Sequence, residues 1–183
     1  MIIVEGMDNS GKTTLCNKLV ELLPGHHIEK ISETRRPTQE EYIKYFGESL
    51  MEGEDLRSII RDRSSWVSEL VYGDVLRGGS VLGKGHMELL KTYIHSRVFC
   101  IVYCNPPRET LLKNMGEQMD EVKEQVEVLC TQYDGVMQFI WGCIQSSPNP
   151  GVILLDYNWT DPNTDDKLSE FIDLYHTLIK ENP

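Results

Sequence analysis

A glycine-containing segment near the start of the sequence restricts the folds that this chain can adopt. Its residues Gly6-Met7-Asp8-Asn9-Ser10-Gly11-Lys12-Thr13-Thr14 have the spacing G-x-x-x-x-G-K-[ST], which is that of a phosphate-binding loop. The segment follows the short apolar run at residues 1–4 and precedes a stretch with leucines at helical spacing. A loop between a buried strand and an amphipathic helix is the context in which this motif binds the phosphates of a nucleoside triphosphate.

The chemistry of the loop assigns a role to several of its positions. The glycines let successive backbone N–H groups point into one anion-sized hollow, and the N-terminus of the following helix adds a positive dipole. Lys12 is expected to contact the β- and γ-phosphates, and the Thr13 hydroxyl is expected to bind the Mg²⁺ that bridges them. The residues predicted to hold the nucleotide are Gly6, Asn9, Ser10, Gly11, Lys12, Thr13 and Thr14.

Predicted strands and helices alternate along the whole sequence. The strand-like runs lie at residues 1–4, 27–32, 58–60, 97–104 and 152–156, and amphipathic segments separate them. This alternation predicts a three-layer, doubly wound α/β fold with a five-stranded parallel sheet, in which ligands lie at the carboxyl ends of the strands. The length of 183 residues fits a single domain, 1–183.

The net charge and the cysteine content of the sequence argue against some classes of function and indicate a cellular setting. The net charge of −11 argues against a general binder of nucleic acids or membranes, because phosphate groups are held by excess lysine and arginine. The five cysteines show no metal-ligand spacing, and their odd number suggests a reducing setting. The sequence shows no signal peptide and no apolar stretch that could span a membrane. We therefore expect a cytoplasmic protein.

A second polar motif, Asp62-Arg63, follows the third predicted strand. An aspartate at this position can hold Mg²⁺ directly or through water, and an adjacent arginine can neutralise a transferring or accepting phosphate. The alternative is a surface ion pair, but the phosphate-binding loop upstream favours a functional role. The predicted metal ligands are Thr13 and Asp62.

These motifs together resemble those of thymidylate kinase and its relatives among the P-loop nucleoside and nucleotide kinases. The resemblance rests on Glu5-Gly6-x-Asp8-x-x-Gly11-Lys12-Thr13-Thr14, on Asp62-Arg63 followed by Ser68, and on Tyr72-Gly73. Within the family the likeness is to compact, phage-type members, which would act in the host cytoplasm. It implies a P-loop kinase architecture with a short lid at about residues 114–122, with ATP as phosphoryl donor and Mg²⁺ as cofactor.

The resemblance also implies roles for individual residues. Asp8 would approach the sugar hydroxyl or the metal on the acceptor side, and Arg63 would contact the phosphate or the reacting oxygen of the acceptor. Trp159 follows the last strand, where relatives place a loop around the adenine, and either stacks on the base or packs nearby. The predicted catalytic residues are Lys12, Asp62, Arg63 and Asp8, and the predicted substrate-binding residues are Arg35, Arg36, Ser68, Tyr72 and Arg108.

The predicted lid departs from the family pattern. Nucleotide kinases usually place arginines there to stabilise the charge of the transferring phosphoryl group, but no arginine follows Arg108 in this sequence. Lysine cannot reproduce the planar, bidentate clamp of arginine. Either Arg108 takes this role, or Arg63 and Lys12 carry more of the charge. Arg35 and Arg36 are either acceptor contacts or solvated charges on a turn.

The sequence is compatible with more than one phosphoryl acceptor and with more than one oligomeric state. The leading hypothesis is phosphoryl transfer from ATP to a thymidine-like deoxynucleoside or its monophosphate. A second is phosphorylation of the 5-hydroxymethyl group of 5-hydroxymethyluracil in DNA, and a third is a non-catalytic, nucleotide-gated binding module. The DNA hypothesis would use a local basic face formed by Arg35, Arg36, Arg57, Arg61, Arg63 and Arg77.

Candidates for the general base are Glu5, Asp8, Glu33 and Asp62. Helical residues Trp66, Val67 and Leu70 serve either a homodimer interface or the core.

Overall fold

A parallel sheet lies at the centre of the computed structural model, which describes residues 1–30, 38–41, 43–44, 56–115, 124–147 and 151–182. Its strands are β1 (Ile2–Glu5), β2 (His27–Lys30), β3 (Ile59–Asp62), β4 (Phe99–Cys104) and β5 (Val152–Tyr157). The five strands follow the order β2-β3-β1-β4-β5, and every neighbouring pair is parallel. This topology confirms the predicted fold class.

Helices cover both faces of the sheet. The helices whose bounds the structure describes are α1 (Lys12–Leu22), α2 (Ser65–Arg77), α3 (His86–Ser96), α4 (Arg108–Asn114), α5 (Val126–Ser146) and α6 (Thr164–Glu181). Helices α1 and α6 pack on one face, and α2, α3, α4 and α5 pack on the other. In those ranges no helix combines the length and the apolar character needed to cross a bilayer.

The central strand β1 shows how the sequence builds these layers. All four of its residues are buried. Ile3 belongs to the apolar cluster under α2, α3 and α5, whereas Ile2 and Val4 belong to the cluster under α1 and α6. Successive side chains of a strand point to opposite faces, so an unbroken apolar run is what a strand covered on both sides requires.

The glycine in Tyr72-Gly73 predicts that the helix α2 ends there, and this prediction is wrong. The helix continues to Arg77 and ends at Gly78, which adopts the left-handed conformation with φ 72°. Gly73 lies inside the helix because of its surroundings: a Cβ there would lie 2.7 Å from Glu69 Oε1 and 3.2 Å from the Cα atom of Ser80. The glycine therefore serves close packing and does not terminate the helix.

Two shorter segments also carry predictions: residues 38–41 are typical of a helix start, and the glycines at 78–79 and at 83 and 85 are typical of a flexible loop. The predicted helix start at Thr38 is confirmed by reciprocal capping bonds: the Thr38 N–H donates to Glu41 Oε2 at 2.7 Å, and the Glu41 N–H donates to Thr38 Oγ1 at 3.3 Å. The segment expected to be a flexible loop contains a 3₁₀ turn, Gly83–Gly85. Residues 31–37, with Arg35 and Arg36, and residues 116–123, most of the predicted lid, lie outside the described residues.

Candidate active site

The phosphate-binding loop joins β1 to α1 at the carboxyl edge of the sheet. Three of its residues have positive φ: Gly6 at 141°, Asn9 at 62° and Gly11 at 94°. Gly6 is also confined, since a Cβ there would lie only 2.5 Å from the carbonyl oxygen of Cys104. Residues with a Cβ rarely adopt such conformations, so the glycines of the motif are required by the path of the backbone.

Lys12 lies inside the curl of this loop. Its ammonium group donates to the carbonyl oxygen of Met7 at 2.5 Å, and the residue is 7% exposed. Burial lowers the pKa of Lys12 to about 8, and the positive charge of Arg63 adds to that shift. The hydroxyl of Ser10 is fully buried and, among the described residues, has no hydrogen-bond partner. A cation and a free hydroxyl in one concave loop fit a bound phosphate.

The two predicted metal ligands are in contact. Thr13 Oγ1, in the first turn of α1, donates to Asp62 Oδ2, at the end of β3, at 2.9 Å. The parallel register between β1 and β3 places Val4 opposite Asp62 and so brings the two motifs together. Hydroxyl and carboxylate oxygens are the ligands that Mg²⁺ prefers, so this pair fits a nucleotide-bound magnesium ion.

These residues face a cavity of about 760 Å³. Its lining includes eight residues of the predicted sets: Asp8, Asn9, Gly11, Lys12, Thr13, Thr14, Asp62 and Arg63. Two lysines in the lining, Lys18 on α1 and Lys30 at the end of β2, were not among the predicted site residues. Lys30 stands opposite Asp62 in the sheet register, and the position of a lysine at a strand end was the signal available for it.

A second group of contacts in the cavity lining joins Arg63 to Asp8. The Arg63 guanidinium pairs with Asp8 Oδ1, and it lies over the ring of Tyr72 with Cζ 5.3 Å from the ring centroid. The Tyr72 hydroxyl donates to Asp8 Oδ2 at 3.2 Å. Asp62 and Arg63 are adjacent in sequence but have different partners: Asp62 accepts from Thr13, and Arg63 donates to Asp8.

A buried polar cluster lies behind this pair. Glu5 is fully buried, and its Oε1 accepts a hydrogen bond from the Ser64 N–H at 2.5 Å. Its other oxygen, Oε2, is buried without a hydrogen-bond partner among the described residues. Tyr133, on α5, interacts with Tyr72, Arg63 and Ser68. Tyr133 could not be recognised from the sequence, because an aromatic residue at helical spacing predicts only a core position.

Arg108 lies apart from the cavity lining. Its guanidinium pairs with Glu127 Oε2, and its Nη2 lies 3.6 Å from Asp134 Oδ2; both carboxylates belong to α5. Asp134 Oδ1 in turn accepts a hydrogen bond from the Tyr103 hydroxyl at 3.0 Å. The described structure therefore shows Arg108 with protein carboxylates as its partners.

Trp159 packs directly on the phosphate-binding loop. Its indole N–H donates to the carbonyl oxygen of Ser10 at 3.0 Å, and a Cβ at Gly11 would meet the indole nitrogen at 3.0 Å. The side chain also lines the cavity and is partly exposed. Packing, one of its two predicted roles, is thus shown, and stacking on a base remains a prediction.

Comparisons with known proteins agree with this geometry. The thymidylate kinase family model matches residues 4–73, which contain the phosphate-binding loop and Asp62-Arg63. No curated protein matches the chain. The YorR protein from Bacillus subtilis, solved in complex with phosphorylated GDP, superposes with a TM-score of 0.65 at 22% identity, covering 94% of this chain and 93% of its own.

Two further solved structures are similar. Deoxyadenosine kinase from M. mycoides with bound dCTP has a TM-score of 0.52 at 15% identity, over 97% of this chain and 100% of its own. Thymidylate kinase from Candida albicans has a TM-score of 0.52 at 16% identity, over 97% of this chain and 92% of its own. At these identities the likeness shows the fold, which is that of nucleoside and nucleotide kinases.

Proposed function

We propose that this chain, a P-loop phosphotransferase of the nucleoside and nucleotide kinase type, transfers the γ-phosphoryl group of ATP to a thymidine-like deoxynucleoside or deoxynucleoside monophosphate. The observation that carries the proposal is one cavity in which a phosphate-binding loop, a magnesium-type ligand pair and an arginine–aspartate pair converge. The partial match to the thymidylate kinase family supports the choice of acceptor.

The donor side binds and orients the triphosphate. The loop N–H groups, the Ser10 hydroxyl and Lys12 would hold the β- and γ-phosphate oxygens, and Thr13 with Asp62 would hold Mg²⁺. The bound ion would supply charge neutralisation on those oxygens. No covalent enzyme intermediate is needed, since positioning and electrostatic stabilisation account for most of the catalysis in reactions of this type.

The acceptor side offers a carboxylate and a cation at hydrogen-bonding distance from one another. Asp8 can accept the hydrogen of the attacking hydroxyl, and Tyr72 holds the other oxygen of its carboxylate. Arg63 can then contact the oxygen that carries negative charge during transfer. Of the general-base candidates that the structure describes, Asp8 and Asp62 line the cavity, and Asp62 is bonded to Thr13, so we assign the base to Asp8.

The contacts also favour one of the two ways to replace lid arginines. Arg108 is held by Glu127 and Asp134, whereas Arg63 and Lys12 both line the cavity. Lys30 lines it too and adds a positive charge beside Asp62. We therefore assign the neutralisation of the transferring group to Arg63 and Lys12, with Lys30 as an additional cation.

Phosphorylation of 5-hydroxymethyluracil in DNA has less support. Three arginines of the basic face expected for that role are paired with carboxylates: Arg61 with Glu29, Arg63 with Asp8, and Arg77 with Glu69. Neutralised arginines attract a phosphate backbone weakly, and the net charge of −11 opposes DNA binding further.

A coupled assay of ADP release tests the proposal. Magnesium-ATP is combined with a panel of deoxynucleosides, their monophosphates and DNA containing 5-hydroxymethyluracil, and turnover is expected with a thymidine-like small molecule. Lys12→Ala should abolish turnover, because the loop then has no cation on the β- and γ-phosphates. Lys91→Ala, an exposed lysine on α3, is the control. The proposal would be overturned if protein that binds ATP released no ADP with any acceptor of the panel.

A further inference from the structure

Glu5 combines complete burial with an incomplete set of partners. It ends the central strand β1 immediately before the phosphate-binding loop, and none of its surface is exposed. Its Oε1 accepts one hydrogen bond, from the Ser64 N–H, while Oε2 has no hydrogen-bond partner in the part of the chain that the structure describes. Buried carboxylates are normally fully satisfied, so this one needs an explanation beyond packing.

The turn that Glu5 holds carries the arginine of the acceptor side. Arg63 has a φ of 76°, in the left-handed region that residues with a Cβ adopt at a cost. Its N–H donates to the carbonyl oxygen of Val4 at 3.0 Å, and the next N–H, that of Ser64, donates to Glu5. Two successive amides are thereby fixed to the end of β1. The strained conformation persists because these bonds determine the path of the turn.

Glu5 also interacts with both cations of the site. Its burial raises its pKa to about 7, against the opposing effects of Arg63, the Ser64 N–H, Lys12 and the Gly6 N–H. The other titratable groups that act on it are Tyr133, from α5, and Cys104, from β4. Arg63 lowers the pKa of Lys12, which shows that the two cations repel each other. A negative charge near both offsets that repulsion.

We propose that Glu5 is a positioning residue of the transfer site. Its carboxylate fixes the Arg63–Ser64 turn to the end of β1 and offsets the repulsion between Lys12 and Arg63. Glu5 thereby links the half of the site that holds the donor phosphates to the half that receives the phosphoryl group. The inference rests on the proposed function, because it is stated for a phosphoryl-transfer reaction.

A second buried carboxylate provides the matched control. Glu69 is 2% exposed and lies on α2, outside the cavity lining. It accepts hydrogen bonds from Arg77 Nη2 at 2.6 Å and from the Val81 N–H at 3.0 Å, and so holds the end of α2 and the following loop. Glu69→Gln should therefore report what the loss of a buried structural carboxylate does by itself.

The kinetic test compares Glu5→Gln with Glu69→Gln, using a nucleoside acceptor between pH 5.5 and 8.5. In the unchanged protein and in Glu69→Gln, kcat should rise as Glu5 ionises near pH 7. Glu5→Gln should lack this rise and have a kcat about tenfold to a hundredfold lower at pH 8, with KM for ATP changed less than about threefold. If Glu5→Gln keeps the pH profile of the unchanged protein and differs only in melting temperature, as Glu69→Gln does, the inference is overturned.

A calorimetric test needs no acceptor and no turnover. The phosphates of ADP bring negative charge to Lys12, so binding at pH 7 should favour protonation of Glu5. The number of protons taken up, measured in buffers of different ionisation enthalpy, should be smaller for Glu5→Gln than for the unchanged protein and for Glu69→Gln. Equal uptake in all three proteins would overturn the link between Glu5 and the phosphate-binding loop. If the unchanged protein released no ADP with any acceptor of the panel, the proposed function would be overturned, but the calorimetric test could still be carried out.

Discussion

Arg63 is the residue at which backbone strain and the chemistry of the site meet. Its left-handed conformation costs about 1–2 kcal/mol. The conformation aims the guanidinium at Asp8 and over the ring of Tyr72. Residues held in such conformations concentrate at functional sites, because the surrounding contacts must outweigh the strain. Asp62, one residue earlier, is the last residue of β3 and accepts a hydrogen bond from Thr13.

Replacing Arg63 by lysine should reduce kcat far more than it changes the binding of ATP. Lysine keeps one positive charge but loses the planar fork and the stacking on Tyr72, so we expect kcat to fall about a hundredfold. KM for ATP should change little, since the loop and Lys12 are untouched. Arg61→Lys is the matched control, because the Arg61 side chain pairs with Glu29 instead. Steady-state kinetics with the accepted substrate measures kcat of both variants. An equal fall of kcat in Arg63→Lys and Arg61→Lys would contradict the role of Arg63.

At the scale of elements, the sheet and its helices could be predicted because local patterns specify them. The apolar runs of β1 and β4 and the loop motif between β1 and α1 depend only on neighbouring residues. The end of α2 could not be predicted, since Gly73 is a helix terminator in isolation and a packing residue in this fold. Tyr133 and Lys30 were missed for the same reason: their proximity to the site arises from packing across the sheet.

A pair of glycine substitutions tests this interpretation of α2. Gly73→Ala should destabilise the protein by about 1–3 kcal/mol, because the added Cβ would meet Glu69 and the backbone of Ser80. Gly135→Ala, in α5, should stabilise it by about 0.5–1 kcal/mol, since nothing lies within 4 Å of its added Cβ and alanine is the better helix former. Urea denaturation measures both. If Gly73→Ala instead stabilised the protein, the Glu69 side chain would have to move to accommodate the added methyl group.

At the scale of the whole molecule, burial decides whether α2 can offer an apolar interface to a second copy. Trp66, Val67 and Leu70, the residues considered for a homodimer interface, are buried against the sheet. Trp66 lies 4.9 Å from Tyr93 and 6.2 Å from Phe99 between ring centroids. They pack in the core, so a dimer that used these three side chains would require the core to open.

Stability of the whole molecule should depend on pH through Glu5. Its pKa is about 7 in the folded protein and 4.5 when exposed, so between these values only the folded state binds the proton. The free energy of unfolding therefore falls as pH rises through this window, by about 3 kcal/mol in total. Glu5→Gln lacks this proton, and its stability relative to the unchanged protein should rise from pH 5 to pH 8.

Chemical denaturation at several pH values measures that difference directly. Glu88→Gln removes one exposed negative charge on α3 and controls for the change in net charge. A difference between Glu5→Gln and the unchanged protein that stays constant from pH 5 to pH 8 would mean that Glu5 does not titrate there. The expected result implies that the charge which positions Arg63 and Lys12 destabilises the fold at the pH where the site would work. That relation is the one expected of a carboxylate retained for catalysis and not for stability.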